Sequence, residues 1–431
     1  MTEPTQLFVC HGCGATVDIA RNLPFACPNA GRKGDDTDHV LIPAGDEKSF
    51  AAGSEPNPFL RYRNLLSPYR LARSAGLSDN AWAEFVGTMD RALLAVDGRG
   101  FRTTPMIPQP ALAKALALTG ELWVKNETGN VAGSHKGRHL MGVMLYLRVI
   151  EAAKLPAASG LKARRLAIAS CGNAALAAAV IARAADWPLD VFIPRDANLN
   201  VVKRLKELNA TIIVCERQPG ESGDPCIREF RRVVERGAIS FGVQGTENGL
   251  AIEGGRTLAF EMAEAFHAAG TAPAALFVQV GGGALASALS QGFAIAAAHG
   301  ALPHRPRLMT VQTAGCAPLA RAWQLLAGIE LTEAVHHRSR FMQPWATTPV
   351  SLAQGILDDE TYDWWEIAKG MRETGGAPLV IDEGAIMRAH AMAHAHTKIA
   401  VSATGTAGLA GLLAAAPLHE PVAVVFSGAE I

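Results

Sequence analysis

The stretch TGNVAGSHKGRHL, Thr128–Leu140, lies between a strand-like segment, ELWVKNE (Glu121–Glu127), and an apolar run, HLMGVMLYLRVI (His139–Ile150), that reads as a helix. Lys136 therefore falls at a strand-to-helix junction, among Gly, Ala and Ser residues small enough to let backbone approach a bound group. A lysine placed this way holds an amine at the mouth of an α/β sheet. The alternative at this point is an ordinary solvated lysine in a first helical turn.

The same alternation continues outward. RRLAIAS (Arg164–Ser170), DVFIP (Asp190–Pro194), TIIVC (Thr211–Cys215), LFVQV (Leu276–Val280), RLMTVQ (Arg307–Gln312) and VAVVFS (Val422–Ser427) read as strands, with Ala-rich or amphipathic helices between many of them. This pattern predicts an α/β fold with parallel-sheet cores and ligands at the carboxyl ends of strands. Three glycine-containing turns follow strands: Ser170-Cys171-Gly172-Asn173, Gly281-Gly282-Gly283, and Ser402 to Thr406 with Thr404 and Gly405. Amides at helix starts point outward without partners and suit phosphate or carboxylate. One such turn also serves simply to let a helix pack closely; three of them with the lysine junction narrow the field.

The chain has 431 residues, 49% of them apolar and 19% charged, which suits a compact protein of two domains and an appendage. Its 40 basic and 40 acidic side chains balance, so charge gives no reason to expect nucleic acid or a membrane surface as partner. The start, MTEPTQLFVCHGCG, has neither the basic nor the apolar region of a signal peptide. Two alanine-rich runs, LAIASCGNAALAAAVIA and LFVQVGGGALASALSQGFAIAAA, are interrupted by Gly and Asn and read as buried strand-turn-helix units rather than membrane spans. Seven cysteines, four of them widely scattered, form no disulfide framework, and a reducing cytoplasm is expected.

CHGCG places Cys10 and Cys13 at the spacing of a zinc knuckle, and FACPNAG adds Cys27. Ala30 stands where a full ribbon has its fourth cysteine, so His39 or Asp38 is left to close the site. Residues 1–50 are thus expected to form a zinc-ribbon-like arm, with structural zinc or a metal-free remnant.

From Thr104-Pro105 to Ser427, over three quarters of the chain, these motifs resemble the pyridoxal-phosphate enzymes of the tryptophan-synthase-β type, fold type II. Within them they resemble the threonine synthase, threonine dehydratase and ammonia-lyase branch. VKNETGNVAGSHKGRH is similar to the family's Lys-x-Glu and Gly-Ser-x-Lys segment, SCGNAA to its Ser-Ser-Gly-Asn turn, VGGGAL to its four-glycine loop and FSGAE to its Ser-Gly-Gly-Asn turn. The resemblance implies that Lys136 is the Schiff-base lysine and later the base at the substrate Cα. Asn173 would face the cofactor's phenolic oxygen, and Gly281, Gly282, Gly283 and Ala284 its phosphate. Ser427, or else Thr404, would face the ring nitrogen. Ser134, His135, Ser170, Cys171 and Gly172 would meet the substrate.

The chain departs from the pattern at His135, Gly137, Ala284 and Cys171, the last expected to be inert packing. The resemblance also implies a catalytic region over 51–431 with two subdomains, the smaller roughly 137–250, and a homodimer. The expected reaction is elimination of a β-substituent, such as hydroxyl, from an amino acid, giving a 2-oxo acid and ammonia. Replacement chemistry of the threonine synthase kind is the alternative, and a catalytically weakened regulatory or interaction protein a third. No dedicated second phosphate site is evident, because only His135, Arg138 and His139 offer cations near the motifs and Arg138 is expected to face solvent or a carboxylate.

Elsewhere, His390 and His394 share a helical face four residues apart, with His396 beyond; no acid or cysteine stands at matching spacing, so a solvent-facing stripe is expected. GILDDETYDWWE, with Asp358, Asp359 and Tyr362, reads as a helix start with acidic first-turn residues.

Overall fold

The computed structural model describes residues 7–44, 49–217, 223–415 and 419–430. The chain forms two compact units: Met1–Arg102, Asn130–Ala132 and Lys136–Thr257 make the first; Thr103–Gly129, Gly133–His135 and Leu258–Ile431 make the second.

The second unit is built on a six-stranded sheet in the order Pro378–Ile381, Arg307–Thr313, Ala275–Gln279, Val422–Phe426, Leu122–Asn126, Met106–Pro108. All neighbours run parallel except the last pair. Ala275–Gln279 and Val422–Phe426 are buried at every position, as parallel strands covered on both faces must be. Proline ends the short antiparallel edge strand, where a missing N–H is tolerated. Val424 pairs with both Phe277 and Val124, so three adjacent strands end level. Their continuations carry the glycine turn, Ser427 and the Ser134-His135 turn.

The first unit holds a four-stranded parallel sheet in the order Thr211–Cys215, Leu189–Pro194, Leu166–Ala169, Ile239–Ser240. Helix Lys136–Ala152 is buried almost all round. Its Gly142 lies so near Gly254 that a Cβ would come within 3.0 Å of the Gly254 Cα, which explains a glycine inside a helix.

Residues of the amino-terminal ribbon belong to this first unit. Strands Thr16–Asp18, Leu7–Cys10 and Leu41–Pro43 form a small antiparallel sheet. The Tyr146 hydroxyl donates to the Ile19 carbonyl at 2.8 Å, and the Gly249 amide donates to Phe25 at 2.9 Å. The ribbon is therefore docked, not dangling.

All seven strand-like segments of the sequence are strands, and the two alanine-rich runs are strand-turn-helix units. Among the described residues no helix is long and apolar enough to cross a membrane.

Candidate active site

In the second unit, the Ala275–Gln279 strand ends in a polar residue amid apolar neighbours. The Gln279 amide nitrogen donates to the Gly405 and Val425 carbonyls at 3.2 and 3.3 Å, and to the Ser427 Oγ. Two carbonyls can face only the nitrogen of the amide, so its orientation is fixed. Ser427 Oγ accepts from Gln279, which leaves the Ser427 proton to be donated elsewhere. Thr404 is engaged differently: its hydroxyl accepts from the Gly355 amide at 3.0 Å. His135 anchors beside Ser427, its backbone amide and its Nδ1 each 3.0 Å from the Ser427 carbonyl. An Nδ1 proton given to that carbonyl makes Nε2 the atom at which the ring can exchange a proton. The Ser134 hydroxyl is buried and has no hydrogen-bond partner among the described residues.

Glycines are required in the loop after this strand. Gly283 has φ +103°, a left-handed value, and precedes helix Ala284–Ala298. A Cβ on Gly281 would lie 2.3 Å from an Asp358 oxygen and 2.8 Å from the Ile356 Cα. The Gly282 amide donates to that Asp358 carboxylate at 2.8 Å. The loop thus binds an anionic oxygen. The expectation that Asp358 opens a helix is corrected here, because helix Trp364–Thr374 begins six residues later and the intervening turn packs on the glycine loop. The Thr361 hydroxyl donates to the Gly281 carbonyl at 3.0 Å. The Cys316 thiol, which donates to the Asp358 carbonyl, is pushed up to about 12 by burial, with Asp358 and Asp359 adding to it.

In the first unit, Lys136 opens its helix half-buried, and Asn173 opens helix Asn173–Ala184 after Gly172. Gly137 is closely packed, since a Cβ there would sit 3.1 Å from the Val131 carbonyl and 3.3 Å from the Phe101 ring. Ser170, Gly172 and Asn173 are half-buried. Cys171 is exposed, which corrects its reading as inert packing. Arg138 is fully buried, which corrects the solvent alternative in its reading as facing solvent or a carboxylate. It donates to the Thr257 hydroxyl at 3.2 Å. His139 is equally buried, with Nδ1 2.9 Å from the Ala251 carbonyl.

The ribbon residues converge. One ligand atom from each of Cys10, Cys13, Cys27 and His39 lies within 4.8 Å of every other. Cys13 and Cys27 sulfurs are 3.6 Å apart, and Cys10 Sγ lies 3.3 Å from His39 Nδ1. His39 turns its Nε2 to the Asp35 carboxylate at 3.0 Å, leaving Nδ1 toward the sulfurs. Asn29 directs its backbone and side-chain N–H groups at Cys27 and Cys13 sulfurs, 3.4 and 3.3 Å away. Burial raises the Cys13 thiol, but hydrogen bonds from the Ala15 amide, Asn29 and the neighbouring cysteines outweigh it and hold the group below its ordinary value. Asp38, the other residue considered for closing the site, pairs instead with His11 at 3.0 Å.

Gln279 is not singled out by the sequence, and Asp358 is read there only as part of a helix start. The lone glutamine in LFVQV is a signal for the first; nothing local signals the contact of Asp358 with the glycine loop, because its partner lies 76 residues away.

Comparison with known proteins bears on the family and the fold. The chain is 26% identical over 312 residues to a threonine synthase of Synechocystis sp., covering 72% of this chain and 71% of that one. Among solved structures it is similar to maize serine racemase, with a TM-score of 0.59 and 20% identity over 80% of this chain and 93% of that one. It is also similar to diaminopropionate ammonia lyase from Escherichia coli, with a TM-score of 0.59 and 17% identity over 90% and 93%. The family model described as pyridoxal-phosphate dependent enzyme matches residues 99–428, a span that holds Lys136, Asn173, the glycine loop and Ser427, and the chain belongs to that family.

Proposed function

We propose that the protein is a pyridoxal-phosphate-dependent lyase that expels the β-substituent, hydroxyl above all, of an α-amino acid and yields a 2-oxo acid and ammonia. The residues present fit the cofactor. The glycine loop already donates an amide to a carboxylate oxygen, so an anionic phosphate suits it. Ser427 has a proton to donate to a ring nitrogen, because Gln279 fills its acceptor side. Bound pyridoxal phosphate supplies an electron sink for the charge left when the Cα proton departs.

The chain's own groups do the rest. The Lys136 amine would hold the cofactor and, as a free base, would take the substrate's Cα proton. Asn173 and the amides from Gly281 to Ala284 hold the ring and its phosphate in place. Ser170, Cys171 and Gly172 orient the substrate carboxylate. His135, with Nδ1 committed to the Ser427 carbonyl, passes a proton from Nε2 to the departing hydroxyl.

The observation that carries elimination over phosphate-substrate chemistry is the burial of Arg138 and His139. A replacement enzyme acting on a phosphorylated substrate needs cations for that phosphate, and two of the three expected near the motifs are committed inside the first unit. The name of the Synechocystis relative favours a second reading, threonine synthase. One assay separates them: the enzyme is incubated with threonine, serine, 3-hydroxyaspartate or O-phosphohomoserine, and ammonia, 2-oxo acid and threonine are measured. Equal ammonia and 2-oxo acid from a hydroxy amino acid is expected. Threonine from O-phosphohomoserine, with no ammonia from any hydroxy amino acid, would replace the lyase reading by the synthase one.

The proposal includes a structural zinc ion held by Cys10, Cys13, Cys27 and His39. With zinc–sulfur bonds of about 2.3 Å, tetrahedral ligands stand roughly 3.7 Å apart. The Cys13–Cys27 separation of 3.6 Å supports it.

A further inference from the structure

The helix Glu383–Thr397 presents His390 and His394 one turn apart, their ring centroids 4.5 Å from each other. The acidic partner missing from the local sequence arrives from the carboxyl-terminal segment. Glu430 Oε1 lies 3.0 Å from His390 Nε2 and 3.7 Å from His394 Nε2. The Val401 carbonyl oxygen lies 3.1 and 2.9 Å from the same two nitrogens. Both rings thus aim the same atom at the same two oxygens.

From this convergence we propose a second metal site, in which His390, His394, Glu430 and the Val401 carbonyl take a divalent ion of the zinc type. The donor set is two imidazoles and two oxygens, which suits a borderline ion rather than calcium or magnesium. Zinc with ligands at about 2.0–2.1 Å needs neighbouring donors roughly 3.3–3.4 Å apart in a tetrahedron. The four nitrogen-to-oxygen separations, 2.9 to 3.7 Å, bracket that edge, so small side-chain motions suffice. The ion would replace the two Nε2 protons now shared with the oxygens. All three side chains are partly exposed, which leaves a path for entry.

The site has a structural consequence. Val401 bridges to Ala429, and Ser402 donates its amide and hydroxyl to the Gly428 carbonyl at 3.0 and 3.2 Å. A metal joining Glu430 to the helix would fasten both segments just beyond Ser427. This inference stands apart from the reaction proposed above, since it uses none of the residues assigned to it.

The test uses the full chain and zinc alone. Equilibrium dialysis against zinc, followed by metal analysis, is expected to give one more zinc per chain in the parent than in His394→Ala. Glu430→Gln, which keeps the side chain's shape, is expected to need at least about tenfold more free zinc to fill that site. Ribbon zinc is common to all three proteins and cancels in the difference. A second readout needs no variant: diethyl pyrocarbonate modification, followed peptide by peptide, should slow at least about tenfold at His390 and His394 on adding zinc. The exposed His304 serves as control. Equal zinc in parent and variants, or unchanged modification of His390 and His394, would overturn the site and leave only a hydrogen-bonded histidine pair.

Discussion

The carboxylate of Asp358 accepts a hydrogen bond of 2.8 Å from the backbone amide of Gly282, in the loop proposed to hold the cofactor phosphate. A negative side chain at that place opposes a negative ligand. Two like charges about 4 Å apart repel by ~1 kcal/mol in water and ~4 kcal/mol at an effective dielectric of about 20. Asp358→Asn should therefore bind pyridoxal phosphate at least about fivefold more tightly, read by equilibrium dialysis. Weaker binding would mean that the carboxylate organises the loop instead of competing for it.

Cysteine reactivity should follow burial. Cys171 is exposed in the loop proposed to meet the substrate carboxylate, whereas Cys316 is buried and its thiol is pushed up to about 12. Only the thiolate reacts, so at pH 8 iodoacetamide should label Cys171 and spare Cys316. Prior addition of a substrate amino acid should slow labelling at Cys171. Unchanged labelling with substrate bound would remove Cys171 from the substrate site.

Much of this was readable from the chain alone, for identifiable reasons. Buried parallel strands carry unbroken apolar runs, so Val422–Phe426 and Ala275–Gln279 announced themselves. The strand Pro378–Ile381 has four residues, half of them merely half-buried, and gave too weak a pattern. Local spacing revealed Cys10 and Cys13 and the His390–His394 pair. The contacts of Glu430 and Asp358 are not legible because each meets its partner only after the chain has crossed the sheet, and no short-range periodicity encodes that meeting. The burial of Arg138 is illegible for a related reason: an arginine is buried only when remote groups accept its protons, the Thr257 hydroxyl among them.

Zinc removal should unfold the ribbon before the rest of the chain. The Leu7–Cys10, Thr16–Asp18 and Leu41–Pro43 strands are too short to stand without a staple. Cys10→Ser with Cys13→Ser should lose about one zinc per chain and expose the ribbon to limited proteolysis near Cys27. Protein that carries no metal when purified without chelators would show that the turns persist by packing alone.

Lys136→Ala should leave no pyridoxyl-lysine peptide at that position after borohydride reduction, while the parent gives one. Reduction trapping the cofactor on a different lysine would displace Lys136 from the role its place at the helix start suggests.

Gln279 offers a test that does not depend on catalysis. Its amide nitrogen sits between the carbonyls of Gly405 and Val425 at the end of an otherwise apolar strand, and the residue is almost completely buried. In Gln279→Glu the same position becomes an oxygen facing two oxygens. A protonated carboxyl can still donate one hydrogen bond there; an ionised one cannot, and burial disfavours it further. The folded protein therefore holds the proton more tightly than the unfolded chain does. Stability is retained at low pH and lost as the pH rises above the ordinary glutamate range, roughly 4.3. At neutral pH the loss should reach about 3 kcal/mol, the usual scale for an uncompensated buried charge. Thermal unfolding of parent and variant at pH 5 and pH 8 measures it, and the gap in Tm should widen with pH. A gap that stays constant would show that the glutamine is held for its shape rather than for its N–H groups, and with it would go the argument that Ser427 is left with a proton to give.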